Sequence, residues 1–178
     1  MRFDLDDIYI REPELKDKEI VWELRQEFID NDDEFAGSSG LNNAENFEKW
    51  LQFTIDAKVD PQPNSKYVPA TQFLTFRKSD NKLLGLIQVR HYLNEVLSKV
   101  GGHIGDAIRR SERCKGYATK QIKLALEFCK HLKMNEVLMS CRVDNFASEK
   151  TILKNGGVFD ATVEFNGKLI KRFWINLA

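Results

Sequence analysis

The chain has 178 residues, 42% hydrophobic and 30% charged, enough apolar material for one domain with an ordinary core. Its 27 basic and 27 acidic residues cancel, which argues against a protein built to coat nucleic acid, because that task needs a basic excess. Three cysteines with no C-x-x-C pair exclude a disulfide framework and a structural zinc site, and point to a reducing cytoplasm.

The opening Met1-Arg2-Phe3-Asp4-Leu5-Asp6-Asp7 is too acidic and too interrupted for a signal peptide. No apolar run approaches the ~18 residues of a membrane span. Residues 7–12 alternate around Ile8 and Ile10 and read as a first strand closed by Pro13. Over 14–31, Leu15, Ile20, Val21, Leu24 and Phe28 fall at helical spacing. Residues 30–40 turn acidic and then Gly/Ser-rich, a loop. Asn43 offers an N-cap for a second helix carrying Phe47, Trp50, Leu51, Thr54 and Ile55 on one stripe. Prolines at 61, 63 and 69 mark a long loop over 60–69. Alternating residues 71–77 and 83–92 flank Ser79-Asp80-Asn81 and form a hairpin.

Residues 93–100 read as a short helical connection. A strand over 102–109 follows, and Gly101, Gly102 and Gly105 leave room there for a close approach. Residues 115–132 are the most amphipathic helix, with Ala118, Ile122, Ala125, Leu126, Cys129 and Leu132 on one face. A buried strand over 136–141 leads to a helix over 146–154, between Asn145 and Gly156. Strands 158–165 and 169–176 close the chain through Asn166-Gly167, a strong hairpin signal. With no repeat, low-complexity tract or linker, the order predicts a single domain over 1–178. The expected class is α/β (α+β), one mixed, mostly antiparallel sheet flanked by helices.

Common motifs fail. No G-x-G-x-x-G follows a strand and no P-loop is present. Asp30, Asp32 and Glu34 start like a calcium loop, but Phe35 stands where Gly is needed and Leu41 where Glu is needed. His91, His103 and His131 have no paired ligand spacing, so no metal is expected. Gly37-Ser38-Ser39-Gly40 is not a nucleophile elbow.

One stretch stands out, from Arg109 to Lys120, between a strand and the amphipathic helix. A helix N-terminus offers unpaired N–H groups and partial positive charge to a phosphate. Gly116 and Ala118 keep side chains clear, Thr119 adds a hydroxyl, and Arg113, Lys115 and Lys120 supply counter-charge. The bland alternative is a solvated basic loop. Further on, Asn145 opens the next helix, either as a plain N-cap or as an amide able to meet both amides of a pantetheine arm. Strand, phosphate turn, helix, strand, Asn, helix makes a coherent coenzyme A site.

These residues resemble the GNAT N-acetyltransferase family. Arg113-Cys114-Lys115-Gly116-Tyr117-Ala118 is similar to its acyl-CoA turn, and Asn145 with Ser148, then Lys154-Asn155-Gly156-Gly157, to its second coenzyme segment. His103-Ile104-Gly105 through Arg113 also resembles a bacterial branch with no assigned substrate. The resemblance implies the acyl-CoA N-acyltransferase fold, with splayed central parallel strands cradling acetyl-CoA. It places Ala107 and Ile108 beside pantetheine, Arg113, Cys114, Lys115, Gly116, Tyr117, Ala118 and Thr119 around the pyrophosphate, and Asn145 on pantetheine. It implies an amine acceptor and no metal, nucleic acid or membrane. The closing hairpin is a candidate homodimer edge.

The sequence departs from the family at Cys114, where Gly or a polar residue is usual, at Arg110 and Asp106, and at Ile152, which stands where a general-acid Tyr is frequent and cannot donate a proton. Cys141 and Ser148 are spaced like a Cys and a Ser of the ribosomal-protein alanine acetyltransferase branch, which makes Ser148 a candidate acid; it could equally cap its own helix. The implied reaction is direct attack of an amine on the acetyl thioester. An alkylammonium has a pKa near ~10 and must lose a proton first. His103 is the first candidate base, with Asp106 and Glu34 as further ones; His103 could equally be structural. The acidic loop at 30–34 either favours a cationic acceptor or is a solvated turn. Phe47, Trp50, Phe73 and Phe76 are either an acceptor pocket or core. The alternative function is a catalytically silent acyl-CoA-binding module.

Overall fold

The computed structural model describes residues 1–59 and 67–178; the loop expected over 60–69 falls mostly outside them. The chain runs β1 (Arg2–Leu5), β2 (Ile8–Arg11), α1 (Lys18–Asp30), α2 (Phe47–Asp56), β3 (Ala70–Arg77), β4 (Leu83–Arg90), β5 (Ile104–Ile108), α3 (Tyr117–His131), β6 (Glu136–Arg142), α4 (Phe146–Lys154), β7 (Val158–Phe165) and β8 (Lys168–Asn176). Strands β1 to β5 form one antiparallel sheet in sequence order, and β6, β8 and β7 form a second in the order β6-β8-β7. The sheet expected to be continuous thus divides where β5 and β6 part.

Strand β1 is absent from the sequence expectation. It is a four-residue edge strand of which only Phe3 and Leu5 reach the core. The cap of α2 is Asn46 rather than Asn43, its Oδ1 accepting from Lys49 N–H at 2.9 Å. Asn43 instead lies in a single 3-10 turn, Leu41–Asn43. The turn at Asn166-Gly167 has both residues at positive φ (50° and 74°), the conformation that Asn-Gly adopts at low steric cost.

Each face of the five-stranded sheet carries its own core. Ile8, Ile10, Phe73, Ile87, Ile104 and Ile108 pack with α3 and the second sheet. Tyr9, Leu74, Phe76 and Leu86 pack with α1 and α2. Phe47, Trp50, Phe73 and Phe76 are all buried, so the aromatic stripe is core and not an acceptor pocket. Between α1 and α2 the chain lies flat on β5: a Cβ built on Gly37 would fall 1.9 Å from the Gly105 carbonyl oxygen. Gln72 Nε2 donates to the Gly37 carbonyl (2.9 Å), and Trp50 Nε1 donates to the Ser38 carbonyl (2.8 Å). Among the described residues no helix is long and apolar enough to cross a membrane.

Candidate functional site

Strands β5 and β6 meet at one place. His103 N–H donates to the Leu138 carbonyl (2.7 Å), and Leu138 N–H donates to His103 Nδ1 (2.9 Å). No ladder continues between them. On β4, Arg90 N–H donates to the His103 carbonyl (2.8 Å), and Arg109 N–H donates to the Leu84 carbonyl (2.9 Å). Antiparallel alternation therefore commits the backbone of Gly105 and Ala107 to β4, and turns that of Ile104, Asp106 and Ile108 toward β6. On the opposite lip, Val143 N–H donates to the Leu169 carbonyl (3.1 Å) and Leu177 N–H to the Asn135 carbonyl (2.9 Å). The same alternation faces Ser140 and Arg142 toward β5. The result is a slot with backbone donors and acceptors along both lips. The amide and carbonyl of Ala107 serve Leu86, so its backbone faces away from the slot. Ile108 keeps its N–H, while its carbonyl accepts from Arg113 Nε (2.8 Å).

Beyond β5 the chain turns into α3 with Cys114 and Gly116 both left-handed (φ 62° and 83°). A Cβ on Gly116 would meet nothing within 4 Å, so the space before the helix is open. The first-turn amides of α3, from Tyr117 through Thr119, have no intrahelical partner by construction and carry the positive end of the helix dipole. Slot and turn together fit an extended amide-bearing chain that ends in a diphosphate.

The counter-charge expected around that turn is already engaged. Arg113 and Arg110 both reach Asp33, at 3.0 and 2.9 Å, across 80 and 77 residues of sequence. Lys115 pairs with Glu112 (2.9 Å), and Lys120 pairs with Asp7. Glu112 is itself buried, and Lys82, Lys115 and Arg77 hold its carboxyl down to about 2. Arg109, also buried, donates to Glu27 (2.7 Å), to Glu23 (2.9 Å) and to the Leu83 carbonyl (3.1 Å). Side-chain charge moors the turn to its neighbours and leaves its backbone amides to meet an anion. Glu112, Asp33 and Glu27 carry this mooring and were not singled out in the sequence. Their partners lie up to 84 residues away, which no local pattern reports.

The candidate bases separate. His103 Nδ1 already accepts the Leu138 N–H, and burial together with Arg90 pushes its pKa below the ordinary value. It is a neutral clamp at the closed end of the slot. Glu34 is exposed and paired with Arg142 at 2.6 Å. Asp33 holds the turn after β5 while Glu34 holds the end of β6. The acidic loop therefore straps both lips, and the carboxylates of Asp33 and Glu34 are spent on arginines. Asp106 keeps part of its surface accessible, yet burial pushes its carboxyl up to about 6.

Asn145 caps α4 with its Oδ1 (Ser148 N–H, 3.1 Å), which leaves its amide nitrogen for a ligand. Burial, then Glu149, push the thiol of Cys141 up, against Lys171 and a hydrogen bond with Ser148. Ile152 is fully buried in the core. A separate surface depression of about 980 Å³, lined by Arg2, Tyr9, Arg11 and Phe76 among others, lies at the opposite edge of the five-stranded sheet. Among the described residues no group of three or more His, Cys, Asp or Glu could hold a metal ion.

A family model described as an acetyltransferase (GNAT) domain matches residues 7–158. No curated protein matches the chain. Among solved structures, a ribosomal-protein-serine acetyltransferase described as putative, from Vibrio cholerae, aligns with TM-score 0.68 at 16% identity, covering 99% of this chain and 97% of that one. The microcin C7 self-immunity acetyltransferase, solved with acetyl-CoA and AMP, gives 0.69 at 20% identity, covering 97% and 94%. A spermidine N-acetyltransferase chimera from Vibrio cholerae and human enzymes gives 0.64 at 17% identity, covering 96% of each chain. At these identities the structural likenesses are likenesses of fold.

Proposed function

The chain belongs to the GNAT acetyltransferase family, and from that premise we propose that it transfers the acetyl group of acetyl-CoA to a primary amine of a small molecule or peptide by direct attack. One observation carries the reading. The slot between β5 and β6 presents backbone groups of Ile104, Asp106, Ile108, Ser140 and Arg142, and it ends at an open, left-handed Gly116 before the α3 amides. Acetyl-CoA supplies the thioester. The chain's residues position it: the amides of Cys114 to Thr119 take the diphosphate, the lips take the pantetheine amides, and Asn145 adds its side-chain nitrogen. An N–H of Ile104 or Asp106 faces the slot and is suited to receive developing charge on the acetyl oxygen. Ser148, beside the Cys141 thiol, is the proton-donating hydroxyl in this reading, where Ile152 replaces the family's Tyr.

The whole of 1–178 acts as one domain in this proposal. Its three free cysteines suit a reducing cytoplasm. Strand β7 is the outer strand of its sheet, with Val158 and Phe159 exposed, and a second copy paired there forms a homodimer. The silent-module alternative draws no support from the family match. The test is coenzyme A release over a panel of amines that includes spermidine and a peptide with N-terminal serine, the acceptors named for two fold relatives. Saturable release with at least one amine is expected. Saturable acetyl-CoA binding with no release on any amine would overturn the reading.

A further inference from the structure

On the side of the five-stranded sheet that α1 and α2 cover, Leu74, Phe76 and Leu86 are sealed. Alternation puts Gln88 and Arg90 of β4 on that same side. Gly105 and Ala107 of β5 share it, opposite Gln88 and Leu86. Gln88 Nε2 donates to Ser39 Oγ (2.7 Å), the Ser39 hydroxyl donates to Gln72 Oε1 (2.6 Å), and Gln72 Nε2 donates to the Gly37 carbonyl. One row beyond this polar chain, Arg90 and His103 keep part of their surface accessible. Arg90 sits at the closed end of the slot. Its N–H donates to the His103 carbonyl, and its Nη1 donates to the carbonyls of Gly102 (3.0 Å) and Gly101 (3.3 Å).

Among the described arginines around the slot, Arg90 alone has no acidic partner. Arg109 pairs with Glu23 and Glu27, Arg110 and Arg113 with Asp33, Arg142 with Glu34 and Asp144, and Arg172 with Asp160. Both side-chain hydrogen bonds of Arg90 leave from Nη1. Its Nη2 lies 3.8 Å from where a Cβ on Gly105 would stand, so the missing side chain there keeps that nitrogen clear on one side. Burial lowers its pKa with no acid opposing the shift. A half-buried guanidinium without a counter-anion is costly to hold. The Nε and Nη2 hydrogens of one guanidinium edge match the two oxygens of a carboxylate.

We infer that the acceptor is an amine that itself carries a carboxylate, such as an amino acid, and that Arg90 binds this carboxylate and sets the specificity. The inference rests on the acetyltransferase reading above and names the substrate class of that site. With the diphosphate at the start of α3, the pantetheine arm runs along the lips toward His103, which brings the thioester to the closed end. Arg90 faces His103 across the ladder, one residue from Ile104, whose N–H faces the slot. A short acceptor therefore spans from the acetyl carbon to the guanidinium. Gln88, its nitrogen held by Ser39, leaves Oε1 to accept an acceptor N–H. The carboxylates of Asp33 and Glu34 are spent on arginines, so the unspent charge on this side is positive.

The test offers the common amino acids, each paired with its carboxamide, to wild type, Arg90→Gln and Arg90→Lys, and reads kcat/KM from coenzyme A release. Wild type should favour at least one acid over its carboxamide by roughly 10- to 100-fold. Arg90→Gln should erase that preference by raising KM for the acid, and Arg90→Lys should restore part of it. If Arg90 only braced the 101–102 turn, acid and carboxamide would suffer alike. A second readout needs no turnover: wild type loaded with coenzyme A should bind the N-acetylated acid more tightly than the N-acetylated carboxamide in calorimetric titration. A CoA-induced rise in melting temperature in each variant shows that fold and slot persist. Wild type that acetylates carboxamides or spermidine as well as any acid, or Arg90→Gln that slows acid and carboxamide equally, would overturn this assignment alone. Wild type inactive on every amine would overturn the proposed function, and this assignment with it.

Discussion

The carboxyl of Asp106 is raised to about 6 because burial disfavours its charged form more than the Gln121 amide favours it. In the unfolded chain the same group titrates near ~3.9. The folded state therefore binds the proton more tightly. Its stabilising contribution is complete below the unfolded pKa and is lost as pH rises through about 6. A shift of this size corresponds to something on the order of 3 kcal/mol of stability absent at pH 8. Asp106→Asn should consequently melt higher than wild type at pH 8 and close to it at pH 4, and a lower melting point at pH 8 would contradict the burial argument. At this scale the sequence was partly readable. Gly116 and Asn145 announce themselves by residue type at a helix start, whereas the separate fates of His103, Glu34 and Asp106 depend on partners 35, 108 and 15 positions away.

The turn between β5 and α3 keeps its shape because three clamps grip it: Asp33 on two arginines, Glu23 and Glu27 on Arg109, and Glu112 on cations from β3, from the β3–β4 hairpin turn and from the turn itself. Glu112 is the testable one. Lys82, Lys115 and Arg77 depress its pKa to about 2, so its stabilising contribution is present above the unfolded value of ~4.3 and is lost as pH falls toward 2. Glu112→Gln should lose about 2 kcal/mol of stability at pH 7 and weaken coenzyme A binding by loosening the turn. The stability gap should close near pH 2. A gap that persisted there, measured by denaturant titration, would mean that Glu112 acts through packing rather than charge. Element boundaries were largely legible, since helical and alternating periods survive in α1, α2, α3 and the two hairpins. Strand β1 was not, because three of its four residues are Arg, Asp and Leu interleaved with one Phe, a pattern that only pairing with β2 turns into a strand.

Across the whole molecule the two sheets are held together at His103 and Leu138 and spanned by the loop that carries Asp33 and Glu34. The His103–Leu138 pair closes the fork and the ion pairs of Asp33 and Glu34 strap its open end, so the site is a property of how the sheets part. The order of elements, the crossover helix α3 and the close-approach glycines were readable from sequence: Gly102 lies against the Leu138 carbonyl, and Gly105 against Gly37. The parting of the sheets came only through the family resemblance, since a splay is a missing ladder and leaves no periodicity of its own.

The central claim is that backbone amides at the start of α3 grip a diphosphate, and calorimetric titration of coenzyme A into wild type, Gly116→Ala and Gly116→Glu tests it. Because the space at Gly116 is open and its φ is 83°, alanine adds only backbone strain, whereas glutamate puts a negative charge where the diphosphate would lie. Saturable binding by wild type, a modest loss for alanine and a loss of roughly 100-fold or more for glutamate is the predicted outcome. Glutamate binding coenzyme A as tightly as wild type would contradict it.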